Sequence, residues 1–191
     1  NMPVLHVRFN DFSSKYQSIT VWKSDINAQH CHQNYDVWFS EYLEMPCQLL
    51  FFGEQSNRLV KNSSKSVAFA DGYPLLLISQ ASLDDLNQRC PADISMDRFR
   101  PNIVVNGCLP YAEDDWKKFK IGEVEFEVVK PCIRCVFTTV DPLTGEKHPE
   151  REPLTTLKSY RKIGNEVMFG QNVIALNEGQ IKRGDKVSII A

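Results

Sequence analysis

The chain has 191 residues, 42% of them hydrophobic and 24% charged, with a formal net charge of −2. A chain of this size and composition can bury a core, which excludes a disordered or fibrous protein and predicts one domain, alone or with part of another. The small net charge provides no basic field for nucleic acid or an anionic membrane, and no apolar run approaches the roughly 18 residues of a transmembrane helix. We therefore expect neither nucleic acid nor membrane as a partner. The six cysteines are spread through a chain too long to need a disulfide framework, which favours the cytoplasm.

The first third of the chain alternates between strand-like and helix-like patterns. Residues 3–12 alternate along their length and residues 18–22 are rich in β-branched side chains, so both ranges are predicted to be strands. An aromatic stripe at helical spacing predicts a helix over 34–45 that packs on the core and ends before Pro46. The polar stretch 54–66 is predicted to join two modules.

Two apolar runs in the next part of the chain are separated by a turn signal, Asp71-Gly72-Tyr73-Pro74. Asp71 is either a routine turn residue or a carboxylate held beside a site, and the residues alone favour the turn. Ser79 is a predicted N-cap for a helix over 80–89. Arg100, just before a β-branched strand, is either a solvated charge or a planar fork for phosphate or carboxylate, and its local pattern favours the solvated charge.

The segment with the clearest chemistry is 126–145, FEVVKPCIRCVFTTVDPLTG. Its two cysteines, Cys132 and Cys135, lie between two runs that are predicted to be strands, with Lys130 and Arg134 beside them. Fixed cations favour a thiolate, which is a nucleophile or a metal ligand. A structural zinc site, a redox pair, plain core thiols and a single thiolate ligand to a soft metal all remain open. Because residues three apart point to opposite faces of an extended chain, we expect one cysteine to act alone, and the spacing does not choose which.

The last third begins with a long polar loop, 141–153, which is predicted to shape access to a site. A short helical turn and then short strands with glycine turns complete the chain. Strands outnumber helices throughout. The predicted fold class is therefore mainly β with α insertions, an α+β protein built on a barrel.

Five ordered segments of the sequence resemble the MOSC domain family. They are FADGYPLLLISQASLDDLNQRC, DRFRPNIVVNG, VVKPCIRCVFTTVDPLTG, EPLTTLKSYR and FGQN. Within the family the chain is similar to YcbX-type bacterial proteins and to the mitochondrial amidoxime-reducing component. The resemblance implies a MOSC domain, a β-barrel, over residues 61–191, preceded over residues 1–60 by the C-terminal part of the family's N-terminal β-barrel domain. It also implies a fragment, without the start of that domain, its Lys-Ser-x-Arg stretch or a ferredoxin-like domain.

The resemblance further implies a bacterial, cytoplasmic oxidoreductase with a molybdenum cofactor, a pterin whose dithiolene holds the metal and whose tail is a phosphate. Its reaction would be detoxification, the reduction of N-hydroxylated compounds (hydroxylamines, amidoximes and N-hydroxylated bases) to amines. The implied partner is an electron-donor flavoprotein or iron–sulfur domain, so that any 2Fe-2S cluster lies in a domain outside this chain. The alternatives are a module that carries the cofactor or sulfur without turnover, and a cofactor-free thiol protein.

Matching the family motifs residue by residue implies the members of the site. Cys135 matches the molybdenum ligand, and Asp71 matches a carboxylate beside the metal, which we expect to deliver a proton or orient water. The implied cofactor-binding residues are Ala70, Asp71, Arg100, Asn102, Ile133, Arg134, Cys135 and Asn172. Arg100 and Arg134 would neutralise the anionic cofactor, and Cys132 would support the metal ligand without touching the metal.

Overall fold

The strands of the protein form two separate sheets in the computed structural model, which describes residues 2–191. The chain divides into two compact units, Asn1–Gly72 and Tyr73–Ala191. The predicted boundary between residues 60 and 61 concerns the domains of the family and stays a prediction.

The first unit contains a three-stranded antiparallel sheet and one helix. Its elements are β1 (Tyr16–Val21), β2 (Ser24–His30), α1 (Gln33–Leu43) and β3 (Leu50–Phe51). β1 and β2 form a hairpin in which Val21 pairs with Ser24, so that two residues make the turn. Gly53 follows β3 at a point where a Cβ would collide with the Tyr16 hydroxyl, so glycine allows the chain to pass close to the hairpin. That this sheet belongs to a larger β-barrel domain stays a prediction.

The strand predicted over residues 3–12 is wrong, because the described part of this segment contains only a 3₁₀ turn at Phe9–Asp11. Val4 is 82% exposed and Phe9 is 73% exposed, so the alternation has no core face to cover. The predicted helix is confirmed as α1, with the His32 ring accepting a hydrogen bond from the Asn34 amide at 3.1 Å. The expectation that its aromatic stripe packs on the core is only partly correct, since Tyr35 is buried but Tyr42 is 61% exposed.

The second unit contains a seven-stranded sheet and two helices. Its elements are β4 (Leu75–Ser79), α2 (Gln80–Arg89), β5 (Ile103–Val105), β6 (Lys118–Ile121), β7 (Val124–Ile133), α3 (Leu154–Tyr160), β8 (Lys162–Ile163), β9 (Glu166–Ala175) and β10 (Val187–Ile189). The strand order is β10-β6-β7-β9-β4-β5, with β8 paired to β9, and β4 and β5 are the parallel pair. The sheet is a nearly closed barrel whose open side lies between β5 and β10. The predicted fold class, mainly β with α insertions, is confirmed.

The core of this unit lies on both faces of the sheet because neighbouring side chains of a strand point in opposite directions. Leu77 of β4 packs inside the barrel against Phe119 and Phe126. Its neighbour Ile78 packs on the other face, in the cluster covered by α2 and α3. The predicted N-cap is also confirmed, since the Ser79 hydroxyl accepts a hydrogen bond from the Ser82 amide at the start of α2. These two layers hold β4 in place between β9 and the edge strand β5.

The end of β7 is where the second unit departs from the sequence prediction. The run VFTTV was predicted to be a strand, but Val136–Thr139 is a 3₁₀ helix. The reason is local, because the Thr138 hydroxyl donates to the Cys135 carbonyl at 3.0 Å and the Thr139 hydroxyl donates to the Val136 carbonyl at 2.7 Å. The pairing of β7 with β9 also shifts register twice between Val128 and Ile133. The chain therefore leaves the sheet immediately after Ile133.

Candidate functional site

The two cysteines at the end of β7 have different surroundings. Cys132 is half-buried and packs against the hydrophobic cluster beneath α2 and α3, whereas Cys135 is exposed. Both are free thiols. Cys135 is therefore the thiol that an external group can reach, and Cys132 is the thiol that the protein itself surrounds.

Arg134 connects the thiol segment to the chain that precedes β5. Its Nη1 donates to Cys132 Sγ at 2.8 Å, and its Nη2 donates to the Phe99 carbonyl at 2.8 Å. The guanidinium also lies over the Phe99 ring, 5.1 Å from its centroid. Its Nε is buried and has no hydrogen-bond partner within residues 2–191. Arg134 is thus a fixed cation in contact with a thiol, with one donor still unused.

Arg98 anchors the loop that follows the thiol segment. Its guanidinium donates to the Thr139 carbonyl at 3.2 Å and to Asp141 Oδ2 at 2.9 Å. Asp141 Oδ1 in turn accepts hydrogen bonds from the Leu143 and Thr144 amides at 2.9 and 3.2 Å. The amides of Leu143 and Thr144, with a smaller contribution from the Arg98 cation, hold the pKa of Asp141 below its ordinary value. The predicted loop therefore begins in a fixed turn.

Arg100 has the opposite character to Arg98. Its backbone is left-handed, with φ of 54°, which is uncommon for a residue with a side chain. Its guanidinium lies 5.9 Å from the centroid of the Phe137 ring, and it has no hydrogen-bond or ion-pair partner among the described residues. This geometry leaves a cation available for an anionic ligand, close to an aromatic ring that follows Cys135 by two residues.

Asn102 and Asn172 lie in one row across four adjacent strands of the barrel. Asn102 Oδ1 accepts a hydrogen bond from the Leu76 amide at 2.9 Å, and Leu76 pairs with Asn172 on its other side. Asn172 Nδ2 donates to the Pro131 carbonyl at 3.2 Å. Each asparagine uses one side-chain atom to hold neighbouring strands. Asn102 Nδ2 and Asn172 Oδ1 have no partner in the described chain and remain available.

Asn102 also lines a groove between the two edge strands, β5 and β10. The groove has a volume of about 940 Å³. Its far side is the loop before β10, which contributes more basic than acidic side chains, namely Lys182, Arg183, Asp185 and Lys186. The surroundings of Asn102 therefore favour a ligand with negative charge.

Ala70 and Asp71 belong to the first unit, in a segment without regular structure. Arg58, which is 8% exposed, donates from Nη1 to the carbonyls of Ala68 and Ala70 and from Nη2 to the Asp71 carbonyl at 2.8 Å. Trp22 Nε1 donates to Asp71 Oδ1 at 3.1 Å. Both the backbone and the carboxylate of Asp71 are therefore held from within the first unit.

The sequence-predicted residues thus fall into three groups. Arg100, Ile133, Arg134 and Cys135 lie around the end of β7, and Ile133 is 43% exposed beside its β9 partner Met168. The second group is the asparagine row of the barrel, and the third is the turn that carries Asp71.

Sequence reasoning missed the roles of Arg58, Trp22 and Arg98. The contacts of Arg58 span 10 to 13 residues and that of Trp22 spans 49, so no local pattern could have identified them. Arg98 has an acidic partner 43 residues away, which the local sequence does not reveal. A buried arginine and a solvated arginine have the same appearance in a polar stretch of sequence.

The described residues contain neither a cluster of metal ligands nor a membrane-spanning helix. Residues 2–191 contain no group of three or more His, Cys, Asp or Glu side chains placed to hold a metal ion. No helix in the same range is both long enough and apolar enough to cross a bilayer.

Comparison with known proteins gives the wider context of this geometry. The family model for the MOSC domain matches residues 64–188. Mitochondrial amidoxime-reducing component 1 of Mus musculus is 40% identical over 182 residues, which are 87% of this chain and 53% of that protein. The Homo sapiens protein of the same name is 38% identical over 183 residues, 87% of this chain and 54% of that protein. The molybdenum cofactor sulfurase of Oryza sativa subsp. japonica is 32% identical over 192 residues, 91% of this chain and 23% of that protein. The chain spans about half the length of the amidoxime-reducing components that it matches.

Proposed function

The chain belongs to the MOSC domain family, and on that basis we propose that it is part of a molybdenum-cofactor-dependent reductase of N-hydroxylated compounds. The names of its relatives, amidoxime-reducing components and a molybdenum cofactor sulfurase, support a function tied to this cofactor. The proposed substrates are hydroxylamines, amidoximes and N-hydroxylated bases, and the products are the corresponding amines and amidines. The proposed electron donor is a flavoprotein or an iron–sulfur domain. A cytoplasmic location and a role in detoxification stay predictions.

The observation that carries the proposal is the exposed Cys135 thiol in a region with two arginines that lack carboxylate partners within the described chain. Arg134 keeps an unused buried donor, and the whole Arg100 guanidinium is unpaired. A thiolate is a soft ligand that suits a thiophilic metal, and metal binding keeps it deprotonated. Planar guanidinium groups suit phosphate and other anionic oxygens. The side chains present therefore fit an anionic cofactor that brings a metal.

When bound, the molybdenum cofactor supplies the electron transfer that breaks the N–O bond. Cys135 would hold the metal. Arg100 and Arg134 would bind the anionic parts of the cofactor, and the free amide atoms of Asn102 and Asn172 would orient it. The backbone of Ala70 and Ile133 would complete its cradle.

Asp71 would take part in proton transfer. Reduction of a hydroxylamine to an amine consumes two electrons and two protons and releases one water, so the oxygen that leaves must be protonated. One carboxylate oxygen of Asp71 accepts the Trp22 hydrogen bond, and the other has no partner in the described residues. That second oxygen would hold or deliver the proton.

The test is metal analysis and turnover of the full-length protein, produced in a host that makes the cofactor. We expect molybdenum to copurify and a hydroxylamine to be reduced with reduced viologen as the electron source. Cys135→Ala should lose both the metal and the activity, whereas Cys132→Ala should keep the metal and a good part of the activity. The proposal fails if no molybdenum copurifies, and the assignment of the ligand fails if the two variants behave in the reverse way.

The second candidate is a module that carries the cofactor or sulfur without turnover. The sulfurase of Oryza sativa subsp. japonica, which matches 91% of this chain, is the observation in its favour. A protein that retains molybdenum but reduces no hydroxylamine or amidoxime, with viologen in excess, would establish this candidate in place of the first.

A further inference from the structure

Arg58 is a buried cation without an acidic partner. Its side chain is 8% exposed, and within residues 2–191 it forms no ion pair. Removing a charge from water is costly unless hydrogen bonds replace the lost hydration. The replacement bonds of Arg58 all go to carbonyl oxygens of residues 68–71. The buried guanidinium of Arg58 therefore binds one short segment, residues 68–71.

Residues 68–71 have little else to hold them in the first unit. The last backbone hydrogen bond before the segment joins the Val67 amide to the Arg58 carbonyl at 2.9 Å. No backbone-to-backbone hydrogen bond of residues 68–71 occurs in the described chain. Phe69 adds an edge-to-face contact with Phe52, at 5.9 Å between the ring centroids. The guanidinium fork of Arg58 thus does what the hydrogen-bond ladder of a neighbouring strand would otherwise do.

Trp22 supplies a second contact, to the side chain of Asp71. It occupies the two-residue turn of the β1–β2 hairpin with φ of 57°, a left-handed conformation that normally favours glycine or asparagine. A bulky aromatic side chain in this position, 72% exposed, needs a reason. The hydrogen bond from its indole to Asp71 Oδ1 provides one.

We propose that Arg58 and Trp22 are positioning residues for Asp71. Arg58 fixes the backbone of Ala70 and Asp71, and Trp22 fixes the rotation of the carboxylate, so that Asp71 Oδ2 is presented in a single orientation. The consequence for turnover rests on the proposed function of Asp71 as a proton carrier. The positioning itself does not depend on that function, because it can be measured in protein without cofactor.

The structural test is the NMR order parameter of each backbone amide in the cofactor-free protein. Arg58→Gln should lower the order parameters of the 69–72 amides from about 0.85 to below about 0.6, with those of β1 and β2 unchanged, because the segment loses the donors that hold its carbonyl groups. Arg58→Lys should restore less than half of the difference, because a point charge cannot hold the carbonyls as a planar fork does. Lys61→Gln removes an exposed charge of the same unit and should leave the order parameters unchanged. Order parameters that fall equally throughout the first unit, or do not fall at all, would overturn the role of Arg58.

The functional test is a double-mutant cycle in the cofactor-loaded full-length enzyme. Trp22→Phe should lower kcat by about tenfold with little change in KM, because the orientation of a proton carrier matters after the substrate has bound. In an Asp71→Ala background the same change should have no further effect on kcat. Equal losses in both backgrounds would overturn the role of Trp22. If the wild-type enzyme shows no reductase activity, the proposed function is wrong, and the carboxyl ¹³C resonance of the Asp71 side chain, which Trp22→Phe should shift, then decides the role of Trp22 by itself.

Discussion

Each of the two units contains an arginine whose side chain holds a segment next to the regular elements. In the described part of the first unit, the Arg58 side chain donates to carbonyl oxygens of residues 68–71 and to no other acceptor. In the second unit, Arg134 divides its donors between the Phe99 carbonyl and Cys132 Sγ and keeps one donor unused. Arg58 thus serves the backbone alone, whereas Arg134 serves the backbone and also brings positive charge to a thiol.

Arg100 extends this comparison, since none of its guanidinium donors has a partner among the described residues. Within the described residues, the guanidinium of Arg58 makes three hydrogen bonds to protein acceptors, that of Arg134 makes two and that of Arg100 makes none. Hydrogen bonds within the protein stabilise the fold, and exposed donors without such bonds remain available to a ligand. We therefore predict that substitution of Arg58 destabilises the protein most and substitution of Arg100 least. The loss of cofactor binding should follow the reverse order.

The largest effect is expected for Arg58→Met. Three carbonyl groups lose a charged donor, so we expect the free energy of unfolding to fall by about 3 kcal/mol or more. Urea unfolding followed by tryptophan fluorescence measures this change. Lys61→Met in the same unit is the matched control and should change stability by less than about 0.5 kcal/mol. Similar values for the two variants would show that Arg58 is not a structural cation.

A smaller loss is expected for Arg134→Met. It removes the bonds to the Phe99 carbonyl and to Cys132 Sγ but also removes a buried donor that has no described partner, so we expect about 2 kcal/mol. Urea unfolding of the second unit measures it, with Arg183→Met as the exposed control. A loss of unfolding free energy equal to or larger than that of Arg58→Met would contradict the predicted order.

The loop after the thiol segment gives a prediction about pH. Because the folded pKa of Asp141 is lowered, chiefly by the amides of Leu143 and Thr144, its contribution to stability is fully present above the ordinary carboxyl pKa of about 4 and is lost as the pH falls through the lowered folded value. The Leu143 and Thr144 amide resonances should report this titration in an NMR experiment. Arg98→Gln should move the midpoint upwards, because it removes a cation that favours the carboxylate. A midpoint that stays in place would show that Arg98 contributes nothing to the turn.

The smallest effect on stability is expected for Arg100→Met. Among the described residues its guanidinium interacts with the Phe137 ring and with no acceptor, so the free energy of unfolding should change by less than about 0.5 kcal/mol. Retention of the cofactor should fall by about tenfold, because an unpaired guanidinium is lost from an anionic ligand. Molybdenum content after gel filtration measures retention. A variant that is unstable yet retains the cofactor would reverse the comparison.

Local patterns were sufficient for much of the fold. The helix over 80–89 has its own N-cap in Ser79, and β7 has a period-two alternation, so both could be predicted from neighbouring residues. The run Val136–Thr139 could not, because threonine hydroxyls bonded to preceding carbonyls override its β-branched composition.

The candidate site also has a part that local sequence predicts and a part that it does not. Motif matching identified Cys135 and Arg100, whose side chains are exposed, as cofactor-binding residues, and that assignment stays a prediction. The contacts that hold Asp71 depend on residues distant in sequence, Arg58 and Trp22, and only folding brings these residues to it. The residues of the candidate site could therefore be predicted from local motifs, whereas the contacts that hold Asp71 in place could not.

The tip of the β1–β2 hairpin has a practical consequence for anyone who modifies the protein. Exposed two-residue turns are normally good places to insert an epitope tag or to split a chain. Here the tip carries Trp22, which is bonded to Asp71, so an insertion between Val21 and Ser24 would separate an indole from its carboxylate. A reporter placed there should yield a folded but catalytically impaired protein, and the hairpin is better left at its natural length.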